Sequence, residues 1–275
     1  LDLQPVDVDV WSVPNPPVPR PNVFGGQVAA QALLAASRTV DPDRPVHSLH
    51  AYFLRGGRPG EPMTVAVERT RDGRSFATRR VLASQEGEVV FGAAVSFQRE
   101  EPTATLMRPF PKVPDPDACG DLPTDQASEG AVALRAVPPT AEDSPLGELR
   151  VWVRTRDALP DDPALHAAAL VFMSDLRTGV AIAVGLGDMG QFGTGPFGMG
   201  KFGMVASLDH AFWLHVPARA DRWLLMSVET IAYARSRGLV LGTFHTEQGD
   251  AVASYVQELV MRPSNTGAGQ DHSRG

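Results

Sequence analysis

Cysteine is almost absent from this chain: Cys119 is the only one in 275 residues. A single thiol excludes an internal disulfide and cannot by itself build a cysteine-based metal site, so Cys119 reads as a bystander. Positive charge is also short. A formal net charge of -7 and a pI near 5.5 leave no field to attract phosphates, which argues against general nucleic-acid binding. No unbroken apolar run approaches the roughly 18 residues of a membrane helix; the stretch 167–173 stops at Ser174-Asp175. The opening Leu1-Asp2-Leu3-Gln4 is acidic and lacks a signal-peptide pattern, so a cytoplasmic protein is expected. His47, His50, His210, His215 and His245 occur singly, without a spacing such as His-Glu-x-x-His, and structural hydrogen bonding is expected of them. Neither a metal nor a cofactor is expected.

The rest of the composition is ordinary for a globular protein, with 43% hydrophobic and 21% charged residues. The informative feature is a repeat. Ser48-Leu49-His50-Ala51-Tyr52-Phe53-Leu54 returns as Ser207-Leu208-Asp209-His210-Ala211-Phe212-Trp213-Leu214, with Asp209 inserted. Val67-Glu68 answers Val228-Glu229, Arg74-Ser75 answers Arg235-Ser236, and Gly87 answers Gly249. The offset drifts only from 159 to 162 residues. A long unit occurring twice indicates two copies of one domain, since a solenoid needs three or more short units.

Each copy follows one plan. A strand over 6–13 and a stiff proline connector precede residues 25–37, which are small and apolar on nearly every face and predict a helix buried on all sides. Strands are then expected at 46–55, 62–71, 75–85 and 89–98, separated by glycine turns such as Asp72-Gly73 and Glu86-Gly87. Residues 101–146 carry nine prolines and read as an extended linker with a short helix near 127–135. The second copy opens with a strand at 147–155. Asp162-Pro163 then caps another small, apolar helix over 164–176. One buried helix per curved antiparallel sheet is the hot-dog plan. The expected fold is therefore α+β, a tandem double hot-dog with its two sheets joined edge to edge. The expected boundaries are 1–100, a linker at 101–146, 147–263, and a tail at 264–275.

Val23-Phe24-Gly25-Gly26-Gln27-Val28, the segment from His47 to Arg55, and Arg71-Asp72-Gly73-Arg74-Ser75-Phe76 resemble the N-terminal half of the acyl-CoA thioesterase II family. Leu208-Asp209-His210 with Trp213 and His215, Trp223-Leu224-Leu225 and Val256-Gln257-Glu258 resemble its C-terminal half. The resemblance spans about residues 5 to 263. It implies a double hot-dog hydrolase that cleaves acyl-CoA to free fatty acid and CoA. The family's catalytic Asp, Thr and Gln carry onto Asp175, Ser207 and Gln257; Ser207 departs from the family's Thr by keeping the hydroxyl and losing the methyl.

Read without the family, these residues leave alternatives open. Asp175 follows a nearly uncharged run, so it either caps the helix end facing solvent or is a buried carboxylate with partners. Gln257 is the lone amide on the strand face of Ala253, Tyr255, Leu259 and Met261, which suits a structural hydrogen bond or a ligand-orienting group. Ser207 is either an ordinary strand serine or one re-aimed by a β-bulge at the inserted Asp209. Together the three would hold a water for attack on a thioester carbonyl, with Asp175 taking its proton. Amides near the start of a buried helix would face the oxyanion. No Gly-x-Ser-x-Gly elbow surrounds Ser207, so a covalent serine is not expected.

Two rival readings share the architecture. One is a non-catalytic acyl-CoA binding protein; the other is an enoyl-CoA hydratase, whose Gly-Asp-x-Asn-Pro-x-His signature does not occur here. The eight glycines of 185–203, interleaved with Phe and Met, suit a flexible loop or a mobile apolar lid over an acyl chain. Arg55, Arg71, Arg74, Arg79 and Arg80 suit either CoA phosphates or salt links. Beyond the acyl-CoA substrate, the expected partner is a second copy of the chain, in at least a homodimer.

Overall fold

The computed structural model describes residues 1–123, 130–141, 143–187 and 202–263. Among them, fourteen strands make one sheet in which every pairing is antiparallel. In the N-terminal part these are β1 (Gln4–Asp7), β2 (Val10–Val13), β3 (Val46–Phe53), β4 (Met63–Asp72), β5 (Phe76–Gln85) and β6 (Glu88–Gln98), with helix α1 (Gly25–Ser37) after β2. Next come β7 (Gly120–Leu122), β8 (Val132–Ala136), β9 (Glu148–Thr155), α2 (Pro163–Ser174) and α3 (Thr178–Gly185). The chain continues through β10 (Phe202–Ser207), β11 (Asp209–Leu214), β12 (Leu224–Ala234), β13 (Arg237–Thr246) and β14 (Ala251–Pro263).

The strand order shows the repeat in space. It runs β1-β2-β4-β5-β6-β3 and continues as β11-β14-β13-β12-β9-β8-β7, with β10 also pairing with β14. Read outward from the centre, 3-6-5-4-2 on one side answers 11-14-13-12-9 on the other. The two recurring segments meet at the join: His50 pairs with Ala211, Ala51 with His210, and Leu49 with Phe212. Each segment thus covers the strand edge that the other would leave open. The recurring Arg-Ser pairs fall in the equivalent hairpins β4–β5 and β12–β13. In the second of these, Arg235 and Ser236 both take positive φ, 52° and 58°. That is the backbone a two-residue primed turn requires.

Helix α1 packs against β3, β4, β5 and β6 on one side and against α2 on the other. Its alanines 29, 30, 32, 35 and 36 are almost fully buried, as are Leu33 and Leu34. Small side chains on every face let backbone approach backbone, which is why this composition makes an interior helix. Asp162 caps α2, its Oδ1 accepting from the amides of Ala164 and Leu165 at 2.9 and 3.4 Å, with Pro163 in the first turn. The two helices run antiparallel: the start of α1 lies at the end of α2, where a Cβ on Gly26 would meet the carbonyl oxygen of Phe172 at 2.5 Å.

Three features depart from expectation. The strand over 6–13 is two short strands, reversed at Asp9 with φ 55°. The second buried helix does not end the helical stretch. After Asp175 the chain turns at Arg177, which is left-handed at φ 57°, and resumes as α3, packed on β9, β12 and β13. The whole stretch Pro163–Gly185 is long and apolar enough to cross a membrane, but 78% of its most apolar window is buried within the protein. The helix expected near 127–135 is not formed over its described part: Val132–Ala136 is strand β8, paired with β9. Val132 and Leu134 point inward there. The local composition suits helix or strand, and the open edge of β9 selects strand. The proline-rich spacer therefore adds two strands to the sheet.

Cys119 sits in a separate apolar cluster with Val137, Trp152 and Leu225. Burial pushes its thiol up, against a smaller opposing effect of Arg135, so the reactive thiolate is disfavoured.

Candidate active site

Asp175 is the C-cap of α2, placed where the end of α2 meets the start of α1. Its Oδ2 accepts the backbone N–H of Gly26 at 2.7 Å. Its Oδ1 accepts from Ser207 Oγ at 2.8 Å and from Gln257 Nε2 at 2.5 Å. Gln257 Nε2 also lies 2.7 Å from Ser207 Oγ. The three side chains singled out in the sequence therefore converge on one point, although they lie on a helix end and two different strands. The N-terminal end of α1 faces the carboxylate, where the helix dipole favours negative charge. Of the amides at the start of this buried helix, that of Gly26 bonds the carboxylate.

Glycine at 25 and 26 is a requirement of this approach. A Cβ on Gly25 would lie 2.8 Å from Asp175 Oδ2 and 2.9 Å from the ring of Phe53. A Cβ on Gly26 would press on backbone at 2.5 Å, where no side chain can move aside. Phe24 and Phe172 stack edge to face beside this junction, with ring centroids 5.0 Å apart.

A β-bulge aims the strand residues. Ser207 pairs with Leu259, and Ala211 pairs with Val256. Three residues, 208–210, therefore stand opposite two, 257 and 258. In a regular strand Ser207 and His210, three apart, would point to opposite faces. The extra residue brings both to the same side. The bulge frees the amide of Glu258, and the carboxylate of Asp209 accepts it at 2.8 Å. The inserted residue thus creates the irregularity and caps it.

Behind Gln257 lies a second polar layer that the sequence reading left as structural. Gln257 is fully buried, as is Ser174, and His210 is almost so. His210 Nδ1 lies 3.0 Å from Gln257 Oε1, and its Nε2 lies 2.8 Å from Ser174 Oγ. Burial lowers the His210 pKa to about 4, against smaller raising effects of Gln257 and Asp209, so the ring is neutral at pH 7. The phenol of Tyr255, also fully buried, is pushed up by burial and secondarily by the Asp175 charge. The inserted Asp209 marks His210 in the sequence; nothing there marks Ser174 or the Gly26 amide as members of the group.

The arginines divide. Arg79 is buried and bonds Thr39 Oγ1 at 2.7 Å, Asp72 Oδ1 at 2.7 Å and backbone carbonyls, so its role is structural. Arg55 reaches the carbonyl of Val89 and Glu88, and Arg80 reaches Glu68 at 3.6 Å. The proposed lid over 185–203 falls almost wholly outside the described residues.

Residues 15–98 match the family model for the acyl-CoA thioesterase N-terminal domain, and residues 107–261 match the model for its C-terminal domain. The chain belongs to the acyl-CoA thioesterase II family. Among individual relatives, it is 34% identical to Homo sapiens acyl-coenzyme A thioesterase 8, over 95% of this chain and 87% of that protein. It is similar to the crystal structure of an acyl-CoA thioesterase II, TesB2, from Mycobacterium marinum, at 38% identity and TM-score 0.80, covering 96% of this chain and 97% of the other. A protein with hot dog fold from Alicyclobacillus acidocaldarius superposes at TM-score 0.75 over 96% of both chains, at 19% identity, which bears on the fold alone. The fold is a hot-dog fold.

Proposed function

We propose that this protein is a thioester hydrolase that cleaves acyl-CoA to a free fatty acid and CoA, with Asp175, Ser207 and Gln257 as its catalytic side chains. The observation that carries the assignment of residues is their convergence within 2.5–2.8 Å at the junction of α1 and α2. In this reading Asp175 accepts a proton from water, and Ser207 and Gln257 hold the water oxygen in line with the thioester carbonyl carbon. The water oxygen bonds to that carbon; the tetrahedral species collapses, the C–S bond breaks, and the proton held by Asp175 passes to the CoA thiolate. Ser207 serves as a hydrogen-bonding group throughout and forms no covalent intermediate.

The same reading includes two hot-dog units in tandem, at 1–100 and 147–263, each wrapped on its own helix and joined by 101–146. The matching strand orders of the two sides support it. Self-association into at least a homodimer, and a cytoplasmic location, are further parts of the proposal; sedimentation analysis tests the first.

The decisive assay traps released thiol from acyl-CoAs of several chain lengths. Asp175→Asn should lower kcat/KM by about 100-fold or more, the contribution typical of a general base. Undiminished release by a folded Asp175→Asn protein would remove Asp175 from the mechanism. No release by the unaltered protein at any chain length would leave a non-catalytic acyl-CoA binder.

A further inference from the structure

We propose that His210 and Ser174 are positioning residues for this hydrolysis: they form a one-way hydrogen-bond relay that fixes which end of the Gln257 amide faces the catalytic carboxylate. The inference rests on the acyl-CoA hydrolase reading and concerns residues that do not touch the substrate.

The argument is one of donors and acceptors. An ionised Asp175 can only accept, so the Gln257 group 2.5 Å from its Oδ1 is the NH2 end. The carbonyl end, Oε1, then faces His210 Nδ1 at 3.0 Å and requires a donor there. His210 is buried and neutral, so it carries one N–H. That proton belongs on Nδ1, and Nε2 becomes an acceptor. The group 2.8 Å from Nε2 is Ser174 Oγ, whose hydroxyl supplies the donor. Ser174 Oγ also lies 2.8 Å from the carbonyl of Val171, so two acceptors compete for one hydrogen; the direction of the relay assigns it to the imidazole. Every bond then points the same way, from Ser174 through His210 and Gln257 to Asp175.

The geometry makes the relay consequential. Gln257 is fully buried, so a flipped amide would set its carbonyl oxygen against the carboxylate in surroundings of low polarity, where an unmatched acceptor is costly. An amide rotating freely between its two ends would present the water-holding NH2 only part of the time. Asp209 and the bulge place His210 on the inner face, so the device depends on the residue inserted into the recurring segment 207–214.

Two conservative variants separate positioning from packing. An Asn amide reaches about where Nδ1 stands, and a Gln amide about where Nε2 stands. His210→Asn therefore keeps the donor to Gln257, whereas His210→Gln keeps only the Ser174 contact. The relay predicts that His210→Asn retains kcat within about 5-fold, while His210→Gln loses about 10–100-fold, with KM changed little in both. Equal losses, or the opposite order, would overturn the relay while leaving the hydrolase reading intact. Loss of that reading shows separately, as no thiol release by the unaltered protein at any chain length. A measurement on the unaltered protein avoids any folding defect. Nitrogen-15 NMR of the His210 ring should show Nδ1 protonated and Nε2 bare, and Ser174→Ala should broaden or invert that pattern. A ring protonated at Nε2 in the unaltered protein would refute the proposal.

Discussion

The two sides of the sheet share a plan and differ in what they bury at equivalent points. On the C-terminal side His210 and Gln257 lie on adjacent strands, facing the helices. The recurring spacings of 161 (67 to 228) and 162 (87 to 249) carry these positions to Leu49 and Val95 on the N-terminal side. Leu49 and Val95 are a registered pair on β3 and β6, and both are fully buried. Where α2 ends in Asp175, α1 ends in Arg38. One copy therefore packs aliphatic side chains where the other packs a polar network. A hydrocarbon core needs only shape, while a buried network needs every donor matched to an acceptor. The opposite end of the helix pair differs too. Between the end of α1 and the start of α2 lies a cavity of about 780 Å³, floored by Leu34, Leu165 and Leu170 and edged by Arg38, Arg44 and Arg99.

Making the C-terminal side resemble the N-terminal side should break the site in graded steps. Deleting Asp209 removes the bulge and restores a regular strand, which turns either Ser207 away from Asp175 or His210 away from Gln257. We expect kcat/KM to fall by about 1,000-fold or more, measured by thiol release, since the catalytic group acts as a unit. Gly26→Ala should cost less, about 10–100-fold, because its Cβ must push the Phe172 carbonyl and move the amide that holds Asp175. A variant with unaltered kinetics would show that the Gly26 contact is incidental.

The smallest effect concerns stability. His210 titrates near 6.5 in the unfolded chain and at about 4 in the folded one. Between those values the unfolded chain binds more protons, so its contribution is fully present above 6.5 and is lost as pH falls toward 4. His210→Leu, the residue at the equivalent position of the other side, should flatten the fall in Tm over that window by at most a few kcal/mol in stability. His47, His166, His215 and His245 are lowered by burial as well and keep part of the slope. An unchanged slope would mean that His210 is protonated in the folded state.

Much of the architecture was legible because it repeats. Two helices of small residues, the strands beside them and the glycine turns follow from local composition, and the segment from Ser48 to Leu54 announces its own partner. The bulge was legible as one surplus residue, Asp209. What was hidden depended on long-range placement. The helix α3 looks like a β-branched run until β12 and β13 bury it. The strand β8 looks helical until the edge of β9 is available. Matching by letters sets His50 against His210, whereas the spacing and the inward faces set Leu49 there, so the polar layer behind Gln257 looked like scattered structural histidines. Ser174 carried no signal at all, because its meaning comes from an imidazole 36 residues away.

In the contact between Gly26 and Asp175, the N-terminal part of the chain contributes a main-chain amide and the C-terminal part a side-chain carboxylate. Apart from exchange to proline, no point substitution deletes that donor. Mutational drift in the N-terminal part can therefore rewrite its interior toward plain hydrocarbon and still leave its share of the proposed site in place. A surviving half with nothing reactive in it remains indispensable, and a chain severed in the spacer would work only if both fragments found each other again.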